Sequence, residues 1–154
     1  MKNAPKQQDV KWSKAMLRIF SETIQPSEIG KLLGLEATKA HVKGSLRSPR
    51  KNEAVWPTSF WSLKSRLSDH SDMTDHIRYI LDLLEPRIQA LQHLAGDSQI
   101  DLLCGFSSGS GQCGFVLDPA TLSRLAALKI PVTFDLYPPS IDVADAEDEA
   151  GGPL

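Results

Sequence analysis

A chain of 154 residues with 41% hydrophobic and 23% charged residues has the composition of a self-supporting domain, which excludes the low-hydrophobicity, high-charge regime of disorder. One domain is expected, because single cores divide only beyond about 250 residues. A formal net charge of −2 gives no global attraction to nucleic acid or anionic lipid, and Cys104 and Cys113 alone cannot build a disulfide scaffold or a four-cysteine zinc site.

Residues 1–11 read as a polar leader. It lacks the apolar stretch of about 7–15 residues that a secretory signal needs, and no run approaches the roughly 18 residues of a membrane span, so a cytoplasmic location is expected. From Trp12 to Phe20, Ala15, Leu17 and Ile19 alternate with Lys14, Met16 and Arg18, the period of two of a half-buried strand. Pro26, Ser27 and Glu28 then open a short helix with an apolar stripe of Ile29, Leu32 and Leu33, and Gly34 is suited to a left-handed stop.

Glu36 to Gly44 is predicted as a second strand entering a loop in which Lys39, His41, Lys43, Arg47, Arg50 and Lys51 gather without an intervening acid. Trp56-Pro57 interrupts regular pairing, and Ser59 to Leu67 alternates again as a third strand. Met73, Ile77, Ile80, Leu81, Leu84, Ile88, Leu91 and Leu94 recur at helical steps and predict a helix over 73–95. Pro86 removes one of its hydrogen bonds, so a kink or two consecutive helices is expected there, with Gly96 at the end.

Ile100, Leu102, Cys104 and Phe106 alternate before a glycine-serine stretch, and Cys113, Phe115 and Leu117 alternate after it. That pattern predicts a β-hairpin with Cys104 near Cys113, both as packed thiols. Asp118-Pro119 starts a third helix with Leu122, Leu125, Ala126 and Leu128 on one face, and Ile130 to Tyr137 closes as a strand. Residues 139–154 carry five acids and neither a basic residue nor an aromatic, which predicts a disordered acidic tail. The domain is thus expected over 12–138, α+β in class, in the order β-α-β-β-α-β-β-α-β. A mostly antiparallel sheet with helices packed on one face is the simplest architecture.

Two glycine patterns overlap at 105–114. Gly105-Phe106-Ser107-Ser108-Gly109 matches G-x-S-x-G, which sets a nucleophilic serine on a strand-to-helix turn, but here a strand is predicted to follow. Gly109 to Gly114 matches G-x-G-x-x-G, again without a helix start to receive pyrophosphate. Both therefore read as a flexible turn. The histidines, His41, His70, His76 and His93, show no zinc-binding spacing, and no catalytic set, cofactor or metal is assigned.

An antiparallel sheet with helices on one face leaves the other free for a partner, and Arg18, Lys64, Thr133, Asp135 and Tyr137 are taken as its outward residues. The expected partner-binding set joins Arg18, Trp61, Asp135 and Tyr137 with Lys43, Arg47, Arg50 and Lys51 of the basic loop.

Several segments together resemble the bacterial domain-of-unknown-function family 4279: Ala15 to Ile19, Pro26 to Leu35, Thr38 to Gly44, Phe60 to Leu63, the long helix, Gly114 to Pro119 and Phe134 to Tyr137. Ala37 departs from the proline that the resemblance leads one to expect before Thr38. The resemblance carries no catalytic residues over. By analogy with small bacterial α+β domains it suggests an immunity protein that neutralises a toxin, an associational argument. The leading expectation is accordingly a non-enzymatic protein-binding module without a membrane partner. The alternatives are a small enzyme or nucleotide-binding domain using the 105–114 loop, and nucleic-acid binding through the basic 39–51 loop.

Overall fold

The computed structural model describes residues 10–48 and 54–139. Strand β1, Val10–Ser21, sets the layering: Ala15, Leu17 and Ile19 are fully buried, while Lys14, Met16, Arg18 and Phe20 on the opposite parity are half-buried. The order continues with α1 (Pro26–Leu33), β2 (Lys39–His41), β3 (Ser59–Lys64), α2 (Met73–Leu84), a 3-10 turn (Glu85–Arg87), α3 (Ile88–Ala95), β4 (Gln99–Ser108), α4 (Pro119–Leu128) and β5 (Val132–Tyr137). The five strands form one sheet in the order β2-β3-β1-β4-β5. All neighbours are antiparallel except β4 and β5, whose parallel pairing is made possible by the α4 crossover.

One apolar core lies between the sheet and the four helices. It joins Ala15, Leu17, Ile19, Trp61, Leu63, Leu102 and Cys104 of the strands to Ile29, Leu33, Ile77, Ile80, Leu81, Leu84, Leu91, Leu94, Leu125 and Leu128 of the helices. The domain is α+β, with a mostly antiparallel sheet and helices on one face.

Local sequence explains the element ends. Gly34 takes φ +63°, a conformation that glycine adopts without steric penalty, and the Leu35 N–H returns to the Gly30 carbonyl at 3.1 Å to close α1. Pro86 divides the 73–95 segment into α2, the 3-10 turn and α3. Arg87, delivered by that turn, donates from Nε to the Leu33 carbonyl at 2.6 Å and from Nη1 to the Leu83 carbonyl at 2.7 Å, tying the end of α1 to that of α2. Asp118 caps α4, its carboxylate accepting from the Thr121 N–H at 2.8 Å.

The structure corrects five expectations. There is no hairpin after β4: residues 112–118 run without a strand, and the place beside β4 is taken by β5. The alternation of Phe115 and Leu117 instead reflects an extended connection packed on the core, with Phe115 edge-on to Phe106 at 5.4 Å between ring centroids. Cys104 consequently pairs in register with Ala15 and Phe134 rather than Cys113. The second strand shrinks to Lys39–His41, and β1 begins at Val10, inside the expected leader. On α4, Thr121, Leu125 and Leu128 face the core, whereas Leu122 is 50% exposed. Residues 1–9 of the leader and 140–154 of the acidic tail lie outside the described residues.

Candidate functional site

The register places a defined set of side chains on the face of the sheet opposite the described helices. One row crosses His41, Phe60, Phe20 and Gln99; the next crosses Lys39, Ser62, Arg18 and Asp101; the third crosses Lys64, Met16, Leu103 and Thr133. Lys14, Gly105 and Asp135 form a fourth row, and Trp12, Ser107 and Tyr137 a fifth. An open depression of about 480 Å³ lies on this face, with Met16, Phe20, Phe60 and Leu103 among its apolar walls and Lys14, Lys39 and Lys64 among its charged ones.

Three strands are tied together beside it. Arg18 donates from Nε and Nη2 to the two oxygens of Asp101 at 2.8 and 2.6 Å, and the Thr133 hydroxyl donates to Asp101 Oδ2 at 2.7 Å. Burial pushes the Asp101 carboxyl up, but the hydrogen bonds from Arg18 and Thr133 outweigh it and hold the group below its ordinary value. Asp135 stands by Tyr137 and pushes the phenol up by accepting its hydrogen bond and by like-charge repulsion of the phenolate.

The fourth row explains a glycine. A Cβ on Gly105 would sit 3.1 Å from Lys14 Cε and 3.6 Å from a Trp12 ring carbon, so the missing side chain makes room for the Lys14 stem to lie across β4. The Lys14 ammonium then rests 5.0 Å from the centroid of the Trp12 ring and 5.8 Å from that of Tyr137, a cation–π arrangement that holds it in place. Gly105 opens the G-x-S-x-G pattern, but Ser107 lies within β4 and is 8% exposed. A strand interior supplies no sharp strand-to-helix turn for a nucleophile.

At the β2 edge, His41 stacks on Trp56 with ring centroids 3.7 Å apart and lies 5.1 Å from Phe60, while the Arg47 guanidinium sits 5.0 Å from the Trp56 centroid. Burial, with Lys39 and Arg47 nearby, pushes the His41 imidazole down. The basic loop folds back on itself: Leu46 bridges Val55, and the Arg47 N–H reaches the Ala54 carbonyl at 2.8 Å. Lys43 is exposed and 3.9 Å from Glu22, and Arg50 and Lys51 lie outside the described residues.

Of the expected partner-binding residues, Arg18, Asp135 and Tyr137 share the open face, and Arg47 borders it through Trp56. Trp61 does not belong there: at 1% exposure it fills the core between sheet and helices, because it has the parity of Leu17 and Ile19 across β1. The reading of residue types missed Lys14, Met16, Phe20 and Phe60, which the strand alternation of Arg18 and Lys64 would have placed on the same side, and Leu103, which only its register with Met16 places there. Ser65 and His76 are a serine–histidine pair by type, hydrogen-bonded through Oγ and Nδ1, yet 3% and 0% exposed, so the pair is sealed inside the fold. Among the described residues, no group of three or more His, Cys, Asp or Glu is placed to hold a metal, and no helix is long and apolar enough to cross a membrane.

The family described as a domain of unknown function, DUF4279, matches residues 10–139. The chain belongs to the DUF4279 family. The match takes in every strand and helix of the fold, so the open face is part of the DUF4279 domain itself. No curated protein and no solved structure matches the chain.

Proposed function

We propose that this DUF4279 domain is a non-enzymatic protein-binding module that engages its partner through the open face of the sheet, in the manner of a bacterial immunity protein holding a toxin. The observation that carries this reading is the face itself. Met16, Phe20, Phe60 and Leu103 line a depression bordered by Lys14, Lys39, Lys64 and Tyr137, with no helix over it among the described residues. Aromatic residues, methionine and arginine are the types enriched where proteins meet, and an apolar centre with a polar rim is the usual anatomy of such a contact.

The rigid setting supports the same use. Arg18, Asp101 and Thr133 lock β1, β4 and β5 to one another, so little side-chain freedom is lost when the face is covered. The test is capture of a partner from the native host on the tagged domain, followed by reconstitution with that partner in purified form. Wild type is expected to bind it, and Met16→Glu, verified as folded by circular dichroism, is expected to lose at least about tenfold in affinity. Equal binding by the variant removes the sheet face from the interface. If the captured partner is toxic when expressed alone, rescue of growth by the wild-type domain and not by Met16→Glu supports the immunity role.

A further inference from the structure

We infer that the partner segment this face accepts is acidic: an extended stretch of polypeptide with carboxylates on either side of an apolar side chain, laid over β2, β3 and β1. The inference rests on the protein-binding reading above and names the chemistry of its partner.

The charge lining the depression is one-sided. Lys14, Arg18, Lys39 and Lys64 line it, and among the described residues no carboxylate does. The acids at its border are already engaged: Asp101 by Arg18 and Thr133, Asp69 by Lys64 at 2.8 Å, and Asp135 by Tyr137. Lys14 and Lys39 have no ion-pair partner among the described residues. Complementary charge across an interface raises the rate of encounter and fixes register, so a carboxylate-bearing partner matches what the face leaves unpaired.

The two free cations also set a spacing. Lys14 lies four residues along β1 from Arg18, and Lys39 lies two strands across from Arg18 through Ser62. With about 3.4 Å per residue and about 4.8 Å between strands, the diagonal is roughly 17 Å, the reach of about five extended residues. Met16 lies between the ends beside Lys64, with Phe20 and Phe60 in the next row beyond Lys39, so an apolar side chain between the two carboxylates is required to meet Met16. Lys14 is pre-positioned by Gly105 below it and the Trp12 and Tyr137 rings beside it.

Single-stranded nucleic acid would be drawn by the same charges, but it also needs open ring faces on which bases stack. Here the rings are engaged with one another and with cations: Trp56 with His41 and Arg47, Phe60 with His41 and Phe20, and Trp12 with Tyr137 and Lys14. The observations therefore favour the peptide.

The experiment uses the full chain and a fluorescein-labelled peptide repeating Glu-Ser-Leu-Ser, followed by fluorescence anisotropy. Matched peptides carry Gln or Lys in place of Glu, and labelled oligo-thymidylate is the nucleic-acid control. Binding is expected for the Glu peptide alone, weakening as salt rises from 50 to 500 mM. It should fall by about tenfold or more in the Lys14→Glu/Lys39→Glu double variant. Gly105→Ala, which displaces the Lys14 stem, should weaken it while leaving the far-ultraviolet circular dichroism unchanged. Equal binding of the Gln peptide, no binding of the Glu peptide, full retention by the double variant, or Lys14-dependent binding of the oligonucleotide alone would each overturn the inference. A natural partner whose affinity falls in Met16→Glu but is indifferent to salt and to both lysines would overturn acidity while leaving the protein-binding reading intact. Equal binding to Met16→Glu would instead overturn the latter.

Discussion

Arg18 and Asp101 stand opposite each other on β1 and β4 and share two hydrogen bonds, at 2.8 and 2.6 Å, on a face where most other cations lack an equally close partner. The pair is partly buried, with the side chains 27% and 18% exposed, so its strength falls between that of a screened surface contact and a desolvated one. Asp101→Ala should cost about 1.5–3 kcal/mol, the range for hydrogen bonds to charged groups. A double-mutant cycle with Arg18→Met in urea denaturation should show coupling near 1 kcal/mol. Coupling near zero would mean that Arg18 is free to serve a partner directly. Because Asp101 is held below its ordinary value, its contribution is complete above the unfolded carboxylate pKa of about 3.9 and is lost as pH falls through the lower folded value.

A second pH effect comes from His76. Burial is the largest influence on its imidazole, with Lys64 acting in the same direction and Asp69, Asp75 and the Ser68 carbonyl opposing, and the balance pushes it down. His41 is pushed down as well. A histidine kept neutral by the fold accepts its proton more readily in the unfolded chain. The stability it contributes is therefore complete above about pH 6.5 and is lost as pH falls through the lower folded value. Thermal melts between pH 7.5 and 5 should show stability declining with acid, and His76→Gln should flatten part of that slope whatever it does to the absolute melting temperature. An unchanged slope in the variant would place the titration elsewhere.

How much of this was legible in the sequence depends on which contacts are local. The α1 stop at Gly34, the break at Pro86 and the Asp118 cap are properties of a few adjacent residues, and all three stand where residue chemistry puts them. The hairpin at 100–117 failed because period-two burial arises in any extended segment lying on a core, and only the arrival of β5 beside β4 distinguishes Phe115 and Leu117 from a strand. Trp61 was misplaced for a related reason. In β3 both parities carry an aromatic residue, Phe60 on one side and Trp61 on the other, so hydrophobicity alone does not choose, whereas the register with Ile19 does. The site was half visible: alternation puts Lys14 and Phe20 on the side of Arg18 in β1 and Phe60 on the side of Lys64 in β3, but only pairing across the strands joins these sides to one another and to Leu103 and Tyr137.

The two cysteines should differ sharply in reactivity. Cys104 is 0% exposed and burial pushes its thiol up to about 12, with Asp101 adding to the shift; Cys113 is half-buried in the β4–α4 connection. The thiolate is the reactive form, so iodoacetamide at pH 8 should label only Cys113 in the native protein and both residues in guanidinium. Peptide mass spectrometry distinguishes the sites. Rapid native labelling of Cys104 would show that β4 opens far more readily than its central place in the sheet implies.

The final expectation concerns Arg87, whose forked donors satisfy one carbonyl from each of two helices, Leu33 at 2.6 Å and Leu83 at 2.7 Å. Helix ends leave carbonyls that need partners, and here a single half-buried side chain, brought round by the proline break, supplies both. Arg87→Met removes the charge and both hydrogen bonds while keeping much of the stem packing, and should cost about 2–3 kcal/mol in urea denaturation. Arg87→Lys should recover less than half of that, because a single ammonium does not reproduce the planar fork. Hydrogen exchange locates the effect: the Leu35 N–H, bonded to the Gly30 carbonyl at 3.1 Å where α1 closes, should exchange faster in both variants relative to amides in the centre of β1. If both variants stay within about 0.5 kcal/mol of wild type, the range of an ordinary surface substitution, the two carbonyls are satisfied by water and Arg87 does not couple α1 to α2.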